Sequence, residues 1–329
     1  MRLCLLPVTR KERAFQLETG RNETYAPVRK AVIPAAGLGT RMLPIARAVP
    51  KEMLPIADKP AMAYLVEECA ASGITDVLII TGRGKEAIED YFDYSPEYEA
   101  AFVKKGRAEK ISGLRADAAP GGIRVYFVRQ KEALGLGHAI LCAENFVGGE
   151  PFAVLYGDDI ITSDRCPVTK QLIDSYMRYG RPVCGVGRVD AEQIKKYCSL
   201  KAEPIAGGFE GREYFVDDMI EKPQRPEQVF TNLSILGRVL LTPEIFGILK
   251  ETPPGAGGEI QLTDAIARYA REKGVTALEF DGRRYDIGSK LGFLTANLVF
   301  GCSHPEVGEA FSDLVIGYAE ELRRKKETN

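Results

Sequence analysis

Residues 31–55 read AVIPAAGLGTRMLPIARAVPKEMLP. An apolar run, Ala31 to Pro34, yields to the small residues Ala35, Ala36, Gly37 and Gly39, with Leu38 between the glycines and the cations Arg41 and Lys51 downstream. This pattern predicts a strand that opens into a phosphate-holding loop. Glycine lets backbone approach a ligand, adopt φ > 0 and turn N–H groups inward as an anion nest, and the cations add charge. A P-loop is excluded because the chain has no Gly-Lys-Ser/Thr. A dinucleotide fingerprint is disfavoured because Met42 stands where the third glycine belongs. Gly-Leu-Gly alone also fits an ordinary tight turn. The continuation through Thr40-Arg41 to Pro50-Lys51-Glu52-Met53-Leu54-Pro55 argues for more.

The chain has 329 residues, 45% hydrophobic and 27% charged, which is the profile of a soluble globular protein with a large core. No Pro/Gly/Ser-rich linker divides it, so it reads as one large α/β domain, residues 30–300, with appended ends. A net charge of −2 argues against a nucleic-acid surface, and the RRKK at 323–326 reads as a solvated helix end. Seven cysteines without a C-x-x-C pair, beside two histidines, argue against a disulfide framework and a structural zinc site, and point to the reducing cytoplasm. No apolar run reaches the about 20 residues of a membrane helix. LCLLPV near the start is too short for a signal-peptide core. Residues 1–29 are polar and aperiodic, and are expected to form a poorly ordered extension without a chemical role.

Short apolar runs at 31–34, 76–81, 123–129, 152–156, 182–189 and 233–241 read as strands. Helical patterns fall at 60–72, 85–93, 137–145, 167–179, 259–272 and 305–325. The charged interval 94–122, broken by Pro120-Gly121-Gly122, reads as a helical insertion plus loop able to act as a cover. Alternation of buried strands with helices predicts a mostly parallel mixed sheet sandwiched by helices. Ligands in such sheets bind beyond the carboxyl ends of strands where the order reverses, so the Gly37 loop and Asp158 are expected to face one cleft.

Beyond the loop, ordered blocks recur: Val128-Arg129-Gln130, Gly135-Leu136-Gly137-His138-Ala139, Leu155-Tyr156-Gly157-Asp158-Asp159 and Ile220-Glu221-Lys222-Pro223. Further on stand Thr252-Pro253-Pro254-Gly255, Gly258-Glu259-Ile260-Gln261-Leu262-Thr263-Asp264 and Tyr285-Asp286-Ile287-Gly288. With these blocks the chain resembles the nucleotidyltransferases that make nucleoside-diphosphate sugars, and most closely the bacterial UTP:glucose-1-phosphate uridylyltransferases. The resemblance implies a Rossmann-like nucleotidyltransferase fold, of glycosyltransferase-A type. It implies attack of a sugar 1-phosphate on the α-phosphorus of UTP, with release of pyrophosphate. Dimerisation through the C-terminal helix at 301–329, as a homodimer or homotetramer, is also implied.

In that chemistry the nucleophile is a phosphomonoester, ionised near neutral pH because its second pKa is about 6. No general base is then needed, which fits a chain with only His138 and His304 as histidines and no nucleophile motif. Catalysis must come from positioning and charge neutralisation. Mg²⁺, held by one or two carboxylates plus phosphates, is expected on Asp158 and Asp286. A turn or cap aspartate is the competing reading of Asp158, and an Asp-x-Gly turn that of Asp286. Arg41 and Lys51 are the candidates for the triphosphate. The resemblance assigns Glu221 to sugar hydroxyls and Lys222 to the sugar phosphate. Asn232 and Glu259 are further sugar-site candidates, although Glu259 also suits the first turn of helix 259–272. Gln130 can donate and accept toward a uracil edge. Backbone of Ala36, Gly37, Leu38 and Gly39 adds to the nucleotide site, and Gly135 and Gly137 let the helix near His138 approach it. His138 reads more as a packing or helix-start residue than as a contact.

Three positions depart from the family pattern. Arg47 stands where lysine is usual, Cys198 follows Tyr197 where glycine is usual, and Ser234 replaces a small apolar residue. A Cβ at 198 is expected to narrow the sugar pocket. The alternatives are a thymidylyl- or cytidylyltransferase, another hexose 1-phosphate as acceptor, or a noncatalytic sugar-nucleotide-binding homologue. Retention of Asp158 and Lys222 argues against the last.

Overall fold

The computed structural model describes residues 25–327. The expected extension at 1–29 lies outside the described residues up to residue 24. Its end packs on the body: Val28 is buried, and the Tyr25 ring lies 5.9 Å from that of Tyr176.

The described strands are β1 (Lys30–Pro34), β2 (Pro55–Ile56), β3 (Lys59–Pro60), β4 (Asp76–Thr81), β5 (Arg124–Arg129), β6 (Phe152–Leu155) and β7 (Asp159–Thr162). They continue with β8 (Val183–Arg188), β9 (Cys198–Pro204), β10 (Glu213–Glu221), β11 (Leu233–Leu241), β12 (Val275–Glu279) and β13 (Arg283–Asp286). One large sheet has the order β5-β4-β1-β6-β11-β8-β12-β10-β9, while β7 pairs with β13 and β2 with β3 in separate ribbons. β5, β4, β1 and β6 are parallel neighbours, and β10 and β11 run against the other described strands of that sheet.

Successive residues of β1 enter different cores. Val32 packs with Val154, Ile140 and Ile266 on one face, whereas Ala31 and Ile33 join Leu65, Leu155 and Leu172 on the other. A sheet buried on both faces selects continuous apolar runs instead of alternation. That is the signature that made β1, β4, β6 and β11 readable.

Expected helices 60–72, 85–93 and 167–179 are present as Ala61–Ala71, Glu86–Phe92 and Val168–Tyr179. The one at 137–145 divides into Leu136–Leu141 and Glu144–Val147, and the one at 305–325 spans Gly308–Glu327. The insertion carries helices Pro96–Lys104 and Ile111–Ala118. The pattern at 259–272 begins later, at Leu262, because Gly257 and Gly258 both take φ 74° and Glu259 is extended. Helices Ile245–Glu251 and Lys290–Cys302, and strands β2, β3, β7, β9, β10, β12 and β13, escaped the apolar-run reading.

A buried ion pair ties β11 to the helices on one face of the sheet. Arg238 on β11 donates to Glu68 through Nη2 at 2.6 Å and Nε at 3.0 Å, and Nη2 also donates to the Asp159 carbonyl at 3.0 Å. Glu68 in addition accepts from the N–H and hydroxyl of Thr169. Removing one member strands a buried charge, which typically costs about 3–5 kcal/mol. Arg238→Ala is therefore expected to lower the unfolding free energy in urea by about 3 kcal/mol or more. A loss below about 1 kcal/mol would show that the pair is not a structural tie.

Candidate functional site

From β1 the chain moves to β4 and β5 on one side, then returns to β6 on the other. The order reverses between β1 and β6, where an open α/β sheet forms its ligand crevice. A cleft of about 520 Å³ opens there, lined by Ala36, Gly37, Leu38, Gly39, Lys51, Gln130, Gly135, Asp158 and Glu259 among others. Gly39 adopts φ 66° before the turn Thr40–Met42. A Cβ on Gly37 would meet nothing within 4 Å, so nothing in the protein demands glycine there, and the freed space faces the cleft.

The pairing of β7 with β13 sets Asp286 opposite Asp159. It thereby brings the neighbouring Asp158 beside Asp286, although the two are far apart in sequence. Lys51 Nζ lies 2.6 Å from Asp158 Oδ2. The exposed Arg41 spans both carboxylates, at 3.3 Å from Asp158 and 3.4 Å from Asp286. Burial alone would raise the Asp158 carboxyl, but Lys51 and Arg41 hold it below the usual range. Lys51 is likewise lowered by burial, and Asp158 and Glu52 more than restore it. Asp159, packed inward beside Arg284, is pushed up to about 6 by burial.

Other expected residues divide into those joined to this cleft and those beside it. Gln130 directly follows β5, donates Nε2–H to the Gly135 carbonyl at 3.2 Å and lies 2.9 Å from His138 Nδ1, so His138 supports Gln130 from the helix. Gly137 is corrected: it is buried, and a Cβ on it would strike the Ile260 carbonyl at 2.8 Å. Its smallness serves packing against the 259–260 segment. That segment is pinned by Gly137 N–H to Ile260 O and Ile260 N–H to Leu134 O, each 2.8 Å. Glu259 thus enters the cleft from an extended segment and not from a helix.

Glu221 ends β10 and Lys222 follows it, both outside the lining of this cleft, with Glu221 facing a second hollow beside Gly255 and Asp264. Lys222 has φ 46°, a left-handed conformation rare for lysine, and its N–H donates to the Tyr197 carbonyl at 2.8 Å. Asn232 is exposed, and its side-chain oxygen accepts from Arg188 at 3.4 Å. Arg47 is exposed in the turn Ile45–Arg47. The expected narrowing by Cys198 is corrected: the side chain is buried, with Sγ 3.4 Å from Ser234 Oγ and accepting from Ile235 N–H. Two of the three departures therefore touch each other in the core.

Sequence reading missed Glu52 and Lys85. Lys85 donates to the Ala35 carbonyl, where β1 becomes the loop, and to both oxygens of the buried Glu52 at 2.8 and 3.0 Å. One ammonium thus ties the loop, the Lys51–Met53 turn and the end of β4. Burial pushes Glu52 up and Lys85 down, and each partner opposes the shift. The available signal was Gly82-Arg83-Gly84-Lys85, a second small-residue strand end with a cation.

A family profile described as nucleotidyl transferase matches residues 30–300. A UTP–glucose-1-phosphate uridylyltransferase of Bacillus subtilis (strain 168) is 47% identical over 300 residues, covering 91% of this chain and 99% of that protein. A solved UDP-glucose pyrophosphorylase in complex with UDP-glucose is 41% identical with a TM-score of 0.71, over 83% of this chain and 98% of that one. The UTP-bound enzyme of Acinetobacter baumannii is 35% identical with a TM-score of 0.79, over 88% of this chain and 99% of that one.

Lys85→Met leaves Glu52 buried without its cation. Its unfolding free energy in urea is expected to fall by about 3 kcal/mol, and Glu52→Leu added to it should recover at least half. Additive losses in the double variant would contradict the pairing.

Proposed function

This chain belongs to the nucleotidyl transferase family, and from that membership and the cleft we infer that it joins UTP to glucose 1-phosphate, releasing UDP-glucose and pyrophosphate. The observation that carries the reading is the strand-end cleft at the β1/β6 switch, where the glycine loop, Lys51 and Gln130 face Asp158. An acceptor phosphate oxygen bonds to the α-phosphorus of UTP as the α–β bridging bond breaks. The electron pair leaves with pyrophosphate. The acceptor arrives ionised, so the protein's tasks are alignment and charge neutralisation.

Gln130 and the backbone of Ala36 and Gly37 take the uracil, and the loop to Gly39 with Arg41 and Lys51 takes the triphosphate. Glu221 and Lys222 take the acceptor. The left-handed backbone of Lys222 supports its role, because such strain persists where surroundings over-determine a residue and clusters at functional positions. Glu259 takes the sugar, a role supported by its position in the lining of the same cleft.

Asp158 and Asp286 suit a divalent ion. A Cβ built on Gly288 would lie 2.5 Å from Asp158 Oδ2 and 3.1 Å from Asp286 Oδ1, so both carboxylates converge on one small cradle. That is the two-carboxylate set Mg²⁺ takes alongside phosphate oxygens and water. Bound there, the ion would supply charge neutralisation at the phosphates. Lys51 and Arg41, which lie against these carboxylates, stand within the same cluster to meet phosphate oxygens.

The C-terminal helices carry an uncovered apolar stripe. Leu291, Leu294 and Leu298 are 78%, 63% and 46% exposed, and Leu314, Tyr318 and Leu322 are 65%, 57% and 42% exposed on Gly308–Glu327. Its continuity over two adjacent helices favours a second copy of this chain as occupant, in a two-fold dimer. The free thiols Cys69, Cys142, Cys166, Cys184, Cys198 and Cys302 support a reducing compartment such as the cytoplasm. No described helix is long and apolar enough to cross a membrane.

Purified protein with Mg²⁺, UTP and glucose 1-phosphate should release UDP-glucose faster than it releases the corresponding products from CTP or dTTP. Asp158→Asn should lose about 10²–10³-fold in kcat, the scale for removing one electrostatic group from such a site. No UDP-glucose from the parent, or parent-like turnover by the variant, would refute the reading. Light scattering should find a dimer that Leu294→Asp with Leu298→Asp converts to monomer. A monomeric parent would remove the dimer.

A further inference from the structure

Arg284 lies two residues before Asp286 on β13, so both side chains share one face of the ribbon. Its guanidinium reaches in two directions. Nη2 is 2.7 Å from Asp159 Oδ1, and Nη1 donates to the Tyr197 hydroxyl at 3.4 Å, with the guanidinium carbon 5.6 Å from the Tyr197 ring centroid. Only 19% of the side chain is exposed, and Nε is buried with no hydrogen-bond partner among the described residues. Tyr197 in turn offers the carbonyl that holds the Lys222 N–H, at the point where the backbone is left-handed.

This chain of contacts joins the two halves of the site. Asp159 follows Asp158 and sits opposite Asp286 in the ladder. Lys222 lies outside the cleft lined by Asp158, at the end of another strand. We propose that Arg284 is a positioning residue that spans Asp159 and Tyr197 and thereby sets the distance between the carboxylate edge and the acceptor-phosphate lysine. The proposal rests on the uridylyltransferase reading. In-line transfer depends on that distance, since a misplacement of about 1 Å can cost about 10²-fold in rate. Arginine suits the task because its planar fork can meet a carboxylate on one edge and an aromatic ring on its face, which lysine cannot.

The test compares Arg284→Gln and Arg284→Lys with the parent. UTP affinity is read by calorimetry with Mg²⁺, kcat and KM for glucose 1-phosphate by UDP-glucose formation, and fold by the thermal midpoint. For Arg284→Gln the proposal expects UTP affinity within about twofold and kcat lower by about 10²-fold. Arg284→Lys should stay impaired by at least about tenfold while keeping the charge. Parent-like turnover in Arg284→Lys would reduce the residue to a charge and overturn the proposal. Parallel loss of UTP affinity, kcat and thermal midpoint in both variants would overturn it as well, by making Arg284 structural. If Arg284→Gln does not fold, Arg284→Lys and Tyr197→Leu decide, each expected to lose kcat with UTP affinity kept. A parent protein that forms no UDP-glucose would instead overturn the functional reading.

Discussion

Three carboxylates, Asp158, Asp159 and Asp286, must be held at one strand end, and the rest of the site is arranged around that repulsion. Two like unit charges about 4 Å apart cost about 4 kcal/mol at an effective dielectric near 20. The β7–β13 ladder forces the approach, because Asp159 and Asp286 are paired across it. Three cations answer it: Lys51 and Arg41 at Asp158, Arg41 again at Asp286, and Arg284 at Asp159. The responses differ with the surroundings. Asp158 stays below its ordinary range, whereas the more enclosed Asp159 rises to about 6.

Lys51 and Arg41 offset the carboxylates that would otherwise repel each other at the mouth of the cleft. Behind them, Lys85 fixes Glu52 and the Ala35 carbonyl, which anchors the start of the loop.

The fold was legible where strands are buried on both faces. Ala31–Pro34, 76–81 and 233–241 are dominated by apolar residues because helices cover both sides. It was not legible in β9, where Lys201 and Glu203 interrupt an edge strand, nor in β13, whose Arg-Arg-Tyr-Asp has one buried residue. The site followed the same division. The glycine loop, Lys51, Gln130 and Asp158 announce themselves locally and do line one cleft. Arg284 and Lys85 do not, because their meaning lies in long-range pairings that only the folded sheet reveals: Arg284 with Asp159, and Lys85 with Ala35 and Glu52. Cys198 and Ser234 show the converse, since two departures read separately prove to be one buried contact.

The most direct measurement is a crystal structure with UTP and Mn²⁺ replacing Mg²⁺, in which anomalous scattering locates the ion. The account predicts an ion bridging Asp158, Asp286 and phosphate oxygens, with Lys51 moved from Asp158 to the triphosphate. An ion bound elsewhere, with Lys51 still paired to Asp158 beside bound UTP, would contradict it.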